Sequence, residues 1–284
     1  MAAPTRAALI ALAARQLARA GIEAPVREAR LLCRWAAGLD GAALAARLDE
    51  LPDAAEHARF ARALEERVAR RPIAQIIGQR EFWGRVFRVT PAVLDPRPES
   101  ELLIERALAG TPPSRILDLG TGSGCLLLTL LAEWPRAEGL GVDVSPAALA
   151  VAEANARALG LSPRARFALS DWGEGIDERF DLVVANPPYV AEGEFASLDP
   201  EVRKYEPHLA LSGGPDGLDA YRRIAADLPR ILAAGGRVLF EIGAHQARAV
   251  CAILLESGLD QLGVHRDLGG HDRVVEAALR QIRT

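Results

Sequence analysis

Over residues 1–77 apolar positions recur at helical spacing. Leu9, Leu12, Ala13 and Leu17 fall three or four apart and so share one face of a helix. Gly21, Pro25, Gly38, Asp40 and Pro52 punctuate a stretch rich in Ala, Leu, Arg and Glu. The pattern predicts a bundle of four or five helices, suited to stability and to recognition of a partner. Ala7 to Ala14 could pass for a short signal core, but Arg15 and Arg19 interrupt its continuation while the helical period carries on, so an amphipathic helix is expected. Arg70-Arg71 reads as a solvated helix end.

The pattern then changes. Phe82, Trp83, Val86, Phe87, Val89, Val93 and Leu94 are aromatic, β-branched or aliphatic, with Gly78 and Gly84 between them, and predict a β-hairpin linker over residues 78–97. Asp95-Pro96-Arg97-Pro98-Glu99-Ser100-Glu101 reads as a stiff turn with Ser100 as a helix N-cap. Beyond it strands and helices alternate. Strands are expected from Arg115 to Leu119, Gly139 to Val144, Arg166 to Leu169, Phe180 to Ala185 and Arg237 to Ile242, with helices between them. A closing pair of strands is expected near Val264 to Asp267 and Arg273 to Ala278. Such alternation predicts an α/β domain over residues 98–284, built on a mainly parallel sheet of seven strands covered on both faces.

Composition narrows the class. Of 284 residues, 50% are hydrophobic and 25% charged, a globular balance that excludes disorder, collagen and a disulfide scaffold. With 34 basic and 38 acidic residues the formal charge is −4, which gives no general basic face for a nucleic-acid duplex. Cys33, Cys125 and Cys251 are odd in number and far apart, which fits a reducing cytoplasm better than a disulfide framework or a cysteine zinc site. No apolar run approaches the ~20 residues that span a bilayer, so no membrane partner is expected. The five histidines show no metal-ligand spacing, and no G-x-S-x-G nucleophile elbow occurs.

Two motifs carry chemistry. Asp118-Leu119-Gly120-Thr121-Gly122-Ser123-Gly124 follows one expected strand and opens a helix, with Asp143 ending the next strand. The glycines allow a tight turn and close approach to the backbone. The sixth position of a dinucleotide fingerprint is Cys125, and no Gly-Lys-Ser/Thr follows, so neither a pyrophosphate-binding fingerprint nor a P-loop is present. Asp143 stands where an acid accepts hydrogen bonds from ribose hydroxyls. The second motif, Asn186-Pro187-Pro188-Tyr189, leaves the strand ending at Ala185. Pro187 pushes Asn186 into an extended conformation. The Asn186 side-chain carbonyl and the Pro187 backbone carbonyl can then grip the two hydrogens of a flat –NH₂ group, while Tyr189 lays its ring against the substrate. Such a nitrogen is a poor nucleophile, and the same two hydrogen bonds strengthen as it attacks.

The first motif resembles that of the class I S-adenosylmethionine-dependent methyltransferases, whose Rossmann-like sheet matches the expected fold. That cofactor carries ribose and adenine but no pyrophosphate. The resemblance implies that Asp118 and the Gly120–Gly122 backbone hold its amino-acid end. It also implies that Asp171-Trp172 flanks the adenine, with an acid to accept from the exocyclic amine and an indole to close the pocket. A narrower resemblance rests on Arg71-Pro72-Ile73-Ala74, Glu81-Phe82-Trp83, Pro96 to Glu101, Asn186 to Tyr189, Tyr205-Glu206-Pro207-His208 and Asp216-Gly217-Leu218. These are similar to the protein-(glutamine-N5) methyltransferases of the HemK/PrmC family, which modify peptide chain release factors. The resemblance runs from about residue 71 to the end, and the helical N-terminus fits in position and size.

That resemblance implies a cytoplasmic enzyme of translation termination, here expected to be monomeric. It would transfer a methyl group from S-adenosyl-L-methionine to the glutamine of a Gly-Gly-Gln loop and leave S-adenosyl-L-homocysteine. Asp118, Leu119, Gly120, Thr121, Gly122, Asp143, Trp172 and Asn186 would contact the cofactor. Asn186, Pro187, Pro188 and Tyr189 would cradle the glutamine, with Asn186 the catalytic residue. There are two departures: Ser100 stands where threonine is frequent, and Asp95 where an apolar residue is frequent. An adenine-N6 or other nucleic-acid amino methyltransferase is the alternative, since such enzymes use a similar tetrapeptide, but flipping a base calls for a basic track that the charge does not supply. A cofactor-binding module without catalysis is a third reading, opposed by the intact Asn186 and Tyr189.

Overall fold

Arg6–Arg19 (α1) buries Leu9, Ile10, Ala13 and Leu17 along one face. The computed structural model describes residues 4–279, so the first three positions of the expected helical domain and the last five of the expected α/β domain lie outside the described residues. The chain divides into two compact units, Met1–Gly78 with Asp199–Tyr205, and Gln79–Leu198 with Glu206–Thr284. No helix among the described residues is long and apolar enough to cross a membrane.

In the first unit α1 is followed by Pro25–Ala37 (α2), Gly41–Ala46 (α3), Ala54–Val68 (α4) and Ile73–Ile77 (α5). Their ends are set locally. The side chains of Thr5, Asp40 and Asp53 accept the orphan amides of Ala8, Ala43 and Glu56, and α2 starts at Pro25 and stops at left-handed Gly38. Leu17, Leu32 and Phe60 fill the core. Arg6, only 7% exposed, is satisfied by a two-pronged pair with Glu56 at 2.7 Å on both prongs.

The second unit opens with Gln79–Phe82 (β1) and Arg85–Arg88 (β2), an antiparallel hairpin turned at Trp83-Gly84, where both residues have positive φ. Phe82 and Phe87 are buried in this unit's core, in one cluster with Ile104 and Leu127. Pairing stops at Arg88, short of the expected stretch to Leu94. Pro91, Pro96 and Pro98 lack amide donors, and Val89 and Val93 are buried as loop residues instead.

Next come Glu101–Leu108 (α6), Arg115–Leu119 (β3), Cys125–Glu133 (α7), Glu138–Asp143 (β4), Pro146–Ala158 (α8), Ala165–Leu169 (β5) and Phe180–Ala185 (β6). Pro200–Tyr205 (α9) belongs to the first unit, where the Tyr205 hydroxyl donates to the Ala69 carbonyl at 2.9 Å. There Arg70 and Arg71 are not a solvated end: Arg70 donates to Glu201 and Arg71 to Glu66, each at 2.8 Å. The chain resumes the second unit with Asp219–Ile231 (α10), Leu232–Glu241 (β7), Ala247–Glu256 (α11), Leu259–Arg266 (β8) and Asp272–Leu279 (β9). Strand β7 starts earlier than expected. Phe180 pairs with Leu232 but Leu182 with Arg237, and Gly235 at φ +75° lets the backbone take up the extra residues.

The sheet order is β5-β4-β3-β6-β7-β9-β8, parallel except that β9 runs against both neighbours. Side chains alternate between two buried layers. Ile116, Leu182, Val184 and Leu239 pack in one; Leu117, Val183, Ala185 and Phe240 pack in the other. Each of these fully buried side chains other than Ala185 contributes roughly 1.5–3 kcal/mol.

Register positions the site. Leu119 pairs with Val142 on one side and Ala185 on the other, and Ala185 pairs with Phe240. The next residues, Gly120, Asp143, Asn186 and Glu241, therefore reach the carboxyl edge of the sheet at one level. Chain order reverses across β3, which makes this the crevice where open α/β sheets bind ligands.

Candidate active site

The loop after β3 is a succession of left-handed turns, with φ of +72° at Gly120, +54° at Gly122 and +79° at Gly124. The Gly120 and Thr121 amides both donate to the Val142 carbonyl at 2.9 Å, and the Gly124 amide donates to the Thr121 carbonyl at 2.8 Å. The Gly122 amide donates to Asp143 at 3.0 Å. These four amides are engaged within the protein, and Gly120 is exposed. A Cβ on Gly120 would stand 3.2 Å from the Trp172 ring, which shows how closely the indole approaches the loop.

A cavity of about 490 Å³ lies against this loop, within the second unit and within the usual size for a cofactor. Of the expected cofactor residues, Gly120, Thr121, Gly122, Asp143, Trp172 and Asn186 line it, as does Pro188. Asp118 and Leu119 do not. Asp118 is 1% exposed, and one carboxylate oxygen accepts the Thr121 hydroxyl at 2.7 Å. Burial pushes its carboxyl up to about 7, against that hydrogen bond. Its hydrogen bond ties the end of β3 to Thr121 of the loop.

Trp172 holds φ +57°, rare for a bulky residue and kept only where its surroundings over-determine it. The Ser170 hydroxyl donates to the Trp172 carbonyl at 2.9 Å and helps fix this turn. Asp171 lines the cavity, but its carboxylate is already paired with Arg223 at 2.6 Å.

Asn186 is half-buried, and its Nδ2 lies 3.4 Å from the Ser100 Oγ. Pro187 is buried. Tyr189 does not line the cavity. It packs against the core beyond β6, its carbonyl accepts from Gln246 at 3.0 Å, and burial pushes its phenol up to about 12. The ring expected against the substrate packs, partly buried, against that core.

Sequence reasoning set the Pro96 to Glu101 turn near the site without assigning its residues, and it missed Glu241; Ser100 of that turn lines the cavity. Ser100 does not use its side chain to cap α6; its hydroxyl donates to Glu241 at 2.5 Å. Glu241 is 1% exposed, and burial pushes its carboxyl up to about 7. An acid ending an apolar strand, as Asp143 also does, was the available signal. Asp95, 3% exposed, lies 3.6 Å from Arg80 of β1, so the charge at this usually apolar position joins the turn to the hairpin. Arg97 lines the cavity and forms an ion pair with buried Glu206, which brings the proline turn and the Tyr-Glu-Pro-His stretch together.

The chain is similar to known proteins. Residues 94–201 match the family described as "Methyltransferase small domain", and residues 8–78 match the PrmC N-terminal domain. A release factor glutamine methyltransferase from Cereibacter sphaeroides is 55% identical over 93% of this chain and 95% of its own. One from Rhodospirillum rubrum is 44% identical over 92% of this chain and 81% of its own. A methyltransferase structure from Pyrococcus furiosus superposes with a TM-score of 0.53 at 15% identity, covering 78% of this chain and 96% of its own. A 16S rRNA methyltransferase of T. thermophilus, in complex with AdoMet and guanosine, gives 0.52 at 24% identity, over 71% of this chain and 50% of its own. At such identities the two structures speak for the fold alone.

Proposed function

Since this chain belongs to the release factor glutamine methyltransferases, we propose that it methylates the side-chain amide N5 of the glutamine in the Gly-Gly-Gln motif of peptide chain release factors, using S-adenosyl-L-methionine and leaving S-adenosyl-L-homocysteine. One observation carries this reading: Asn186 and Pro188 line the same cavity as the glycine loop and Asp143. A group held by Asn186 and a cofactor on the loop would share one space.

The cavity fits the cofactor class. Asp143 offers acceptors for ribose hydroxyls, Gly120 and Gly122 offer open backbone, and Trp172 offers an apolar wall. When bound, S-adenosylmethionine supplies an electrophilic methyl carbon on a sulfonium. The chain's own part is positioning. The Asn186 carboxamide oxygen and the Pro187 carbonyl accept the two N5 hydrogens and turn the nitrogen lone pair toward the methyl. As positive charge develops on that nitrogen, both hydrogen bonds strengthen, which lowers the barrier without a strong base; the proton leaves after transfer. Asp118 braces the loop through Thr121, and Tyr189 fixes the tetrapeptide from the core side. The helical unit would recognise the release factor, and the enzyme would work as a monomer in the cytoplasm.

The test incubates purified protein with methyl-labelled cofactor and a release factor, followed by peptide mass mapping. Label on the Gly-Gly-Gln glutamine is expected, with none on RNA or DNA offered in parallel. An unlabelled glutamine overturns the reading.

A further inference from the structure

An asparagine side chain is nearly symmetric in shape and opposite in chemistry at its two ends. Turned one way Asn186 offers the cavity a carbonyl acceptor; turned the other way it offers an –NH₂ donor, which would repel the hydrogens of a substrate amide. Shape alone does not choose between them. A second group must.

The register supplies one. Ala185 pairs with Phe240, so Asn186 and Glu241 leave adjacent strands side by side. Ser100, 3% exposed, stands at both: its Oγ lies 2.5 Å from Glu241 Oε2 and 3.4 Å from Asn186 Nδ2. Above about pH 7 Glu241 is ionised and only accepts, so there the Ser100 proton points to it. The lone pairs of Ser100 are left to accept, and they face the Asn186 –NH₂ end. Were Asn186 turned over, its carbonyl would face an oxygen whose proton is already given to Glu241, and two acceptors would oppose each other. Glu241 is itself held, because the Tyr221 hydroxyl donates to its backbone carbonyl at 2.8 Å.

We propose that Ser100 and Glu241 are positioning residues that fix which end of the Asn186 side-chain amide faces the cavity. The inference rests on the methyl-transfer reading above and adds to it the device that makes Asn186 an acceptor. Ser100 lines the cavity beside Asn186, and Glu241 stands behind it, outside the lining. The pair acts through Asn186, whose hydrogen bond to the amide strengthens as the nitrogen attacks, so its loss lowers turnover far more than it weakens substrate binding. A hydroxyl is what the position requires, so threonine serves as well as serine.

The experiment uses the full-length protein, labelled cofactor and release factor at about pH 8.5, where Glu241 is ionised. Ser100→Ala is expected to lower kcat roughly 10- to 100-fold, the scale on which misdirected positioning groups act, with KM for the release factor and cofactor Kd within about two-fold of wild type. Ser100→Thr is expected to restore kcat to within about three-fold. With Asn186→Ala already present, adding Ser100→Ala is expected to cost under about two-fold, since nothing remains to orient; the residual rate is read in long incubations. If Ser100→Ala fails to fold by thermal melting, Glu241→Gln replaces it in the same cycle, because an amide can either donate to or accept from Ser100 and no longer dictates its proton.

Losses that multiply in the double variant overturn the inference, as does full-rate transfer by Ser100→Ala or a loss confined to KM. Absence of transfer by the wild-type protein instead removes the methyl-transfer reading, and this inference with it.

Discussion

The Asp143 carboxylate accepts the Gly122 amide at 3.0 Å through one oxygen and the Ser145 amide at 2.9 Å through the other. The end of β4 is thereby locked to the glycine loop after β3, and the acid faces the cavity already aimed. Each oxygen keeps a lone pair for a ribose hydroxyl. Asp143→Ala is expected to weaken cofactor binding roughly 100-fold, because it removes the ligand's acceptors and the loop's tether together. Asp143→Asn, which keeps the shape but exchanges an acceptor for a donor, is expected to fall between the two. Isothermal titration with S-adenosylhomocysteine measures both, and unchanged affinity in Asp143→Ala would remove the residue from the cofactor site.

Gly120→Ala combines two penalties. The left-handed φ of +72° costs a side chain about 1–2 kcal/mol, and the new methyl would stand 3.2 Å from the Trp172 ring. Loss of cofactor affinity is expected with a lowered melting temperature. Trp172→Ala in the same background removes the contact but not the backbone strain, so it is expected to recover part of the stability and none of the affinity.

Trp172 is also a reporter. Of the four tryptophans it alone lines the cavity, while Trp35, Trp83 and Trp134 pack against buried clusters. Saturating cofactor is expected to change the protein's intrinsic fluorescence, and Trp172→Phe is expected to abolish most of the change. An unaltered signal in that variant would mean that the ligand binds elsewhere.

In the helical unit, Arg6 and Glu56 are each satisfied mainly by the other, at 7% and 5% exposure. Removing Arg6 leaves the buried Glu56 charge unpaired, whereas Arg6 keeps a second partner in Glu50 at 3.1 Å. Arg6→Ala is expected to destabilise this unit by about 3–5 kcal/mol, and Arg6→Met with Glu56→Leu by much less, because then no charge is stranded. Urea unfolding followed by far-ultraviolet circular dichroism of the helices checks the contrast.

Burial holds Asp118 and Glu241 protonated to about pH 7, above their ordinary values of 3.8 and 4.5. Between about pH 5 and 7 the folded protein therefore keeps protons that the unfolded chain has released. The stability due to these groups is full below the ordinary carboxylate range and is lost as pH rises through about 7, by on the order of a few kcal/mol per group. Asp118→Asn and Glu241→Gln cannot titrate, so each is expected to flatten the decline between pH 5 and 7 in cofactor-free unfolding experiments. A slope identical to wild type in both variants would refute this assignment.

Local features of the chain were legible in its sequence. The spacing of Gly120, Gly122 and Gly124 after an apolar strand specifies a left-handed turn wherever it occurs, because only glycine adopts that backbone cheaply. Asn186 before two prolines specifies an extended exit from β6 for an equally local reason, and alternating strands and helices with both strand faces apolar specify a covered parallel sheet. What lay beyond reach depends on register. Whether Asp118 faces the cavity or the underside of its loop, whether Tyr189 turns to a substrate or to the core, and whether Ser100 caps its own helix or joins Glu241 to Asn186 are decided by which strands lie adjacent and by a one-residue alignment among them. Residues 100 and 241 are far apart in the chain, and no spacing rule brings them together; the packed sheet does, because one shift of register would turn every side chain at its edge to the opposite face.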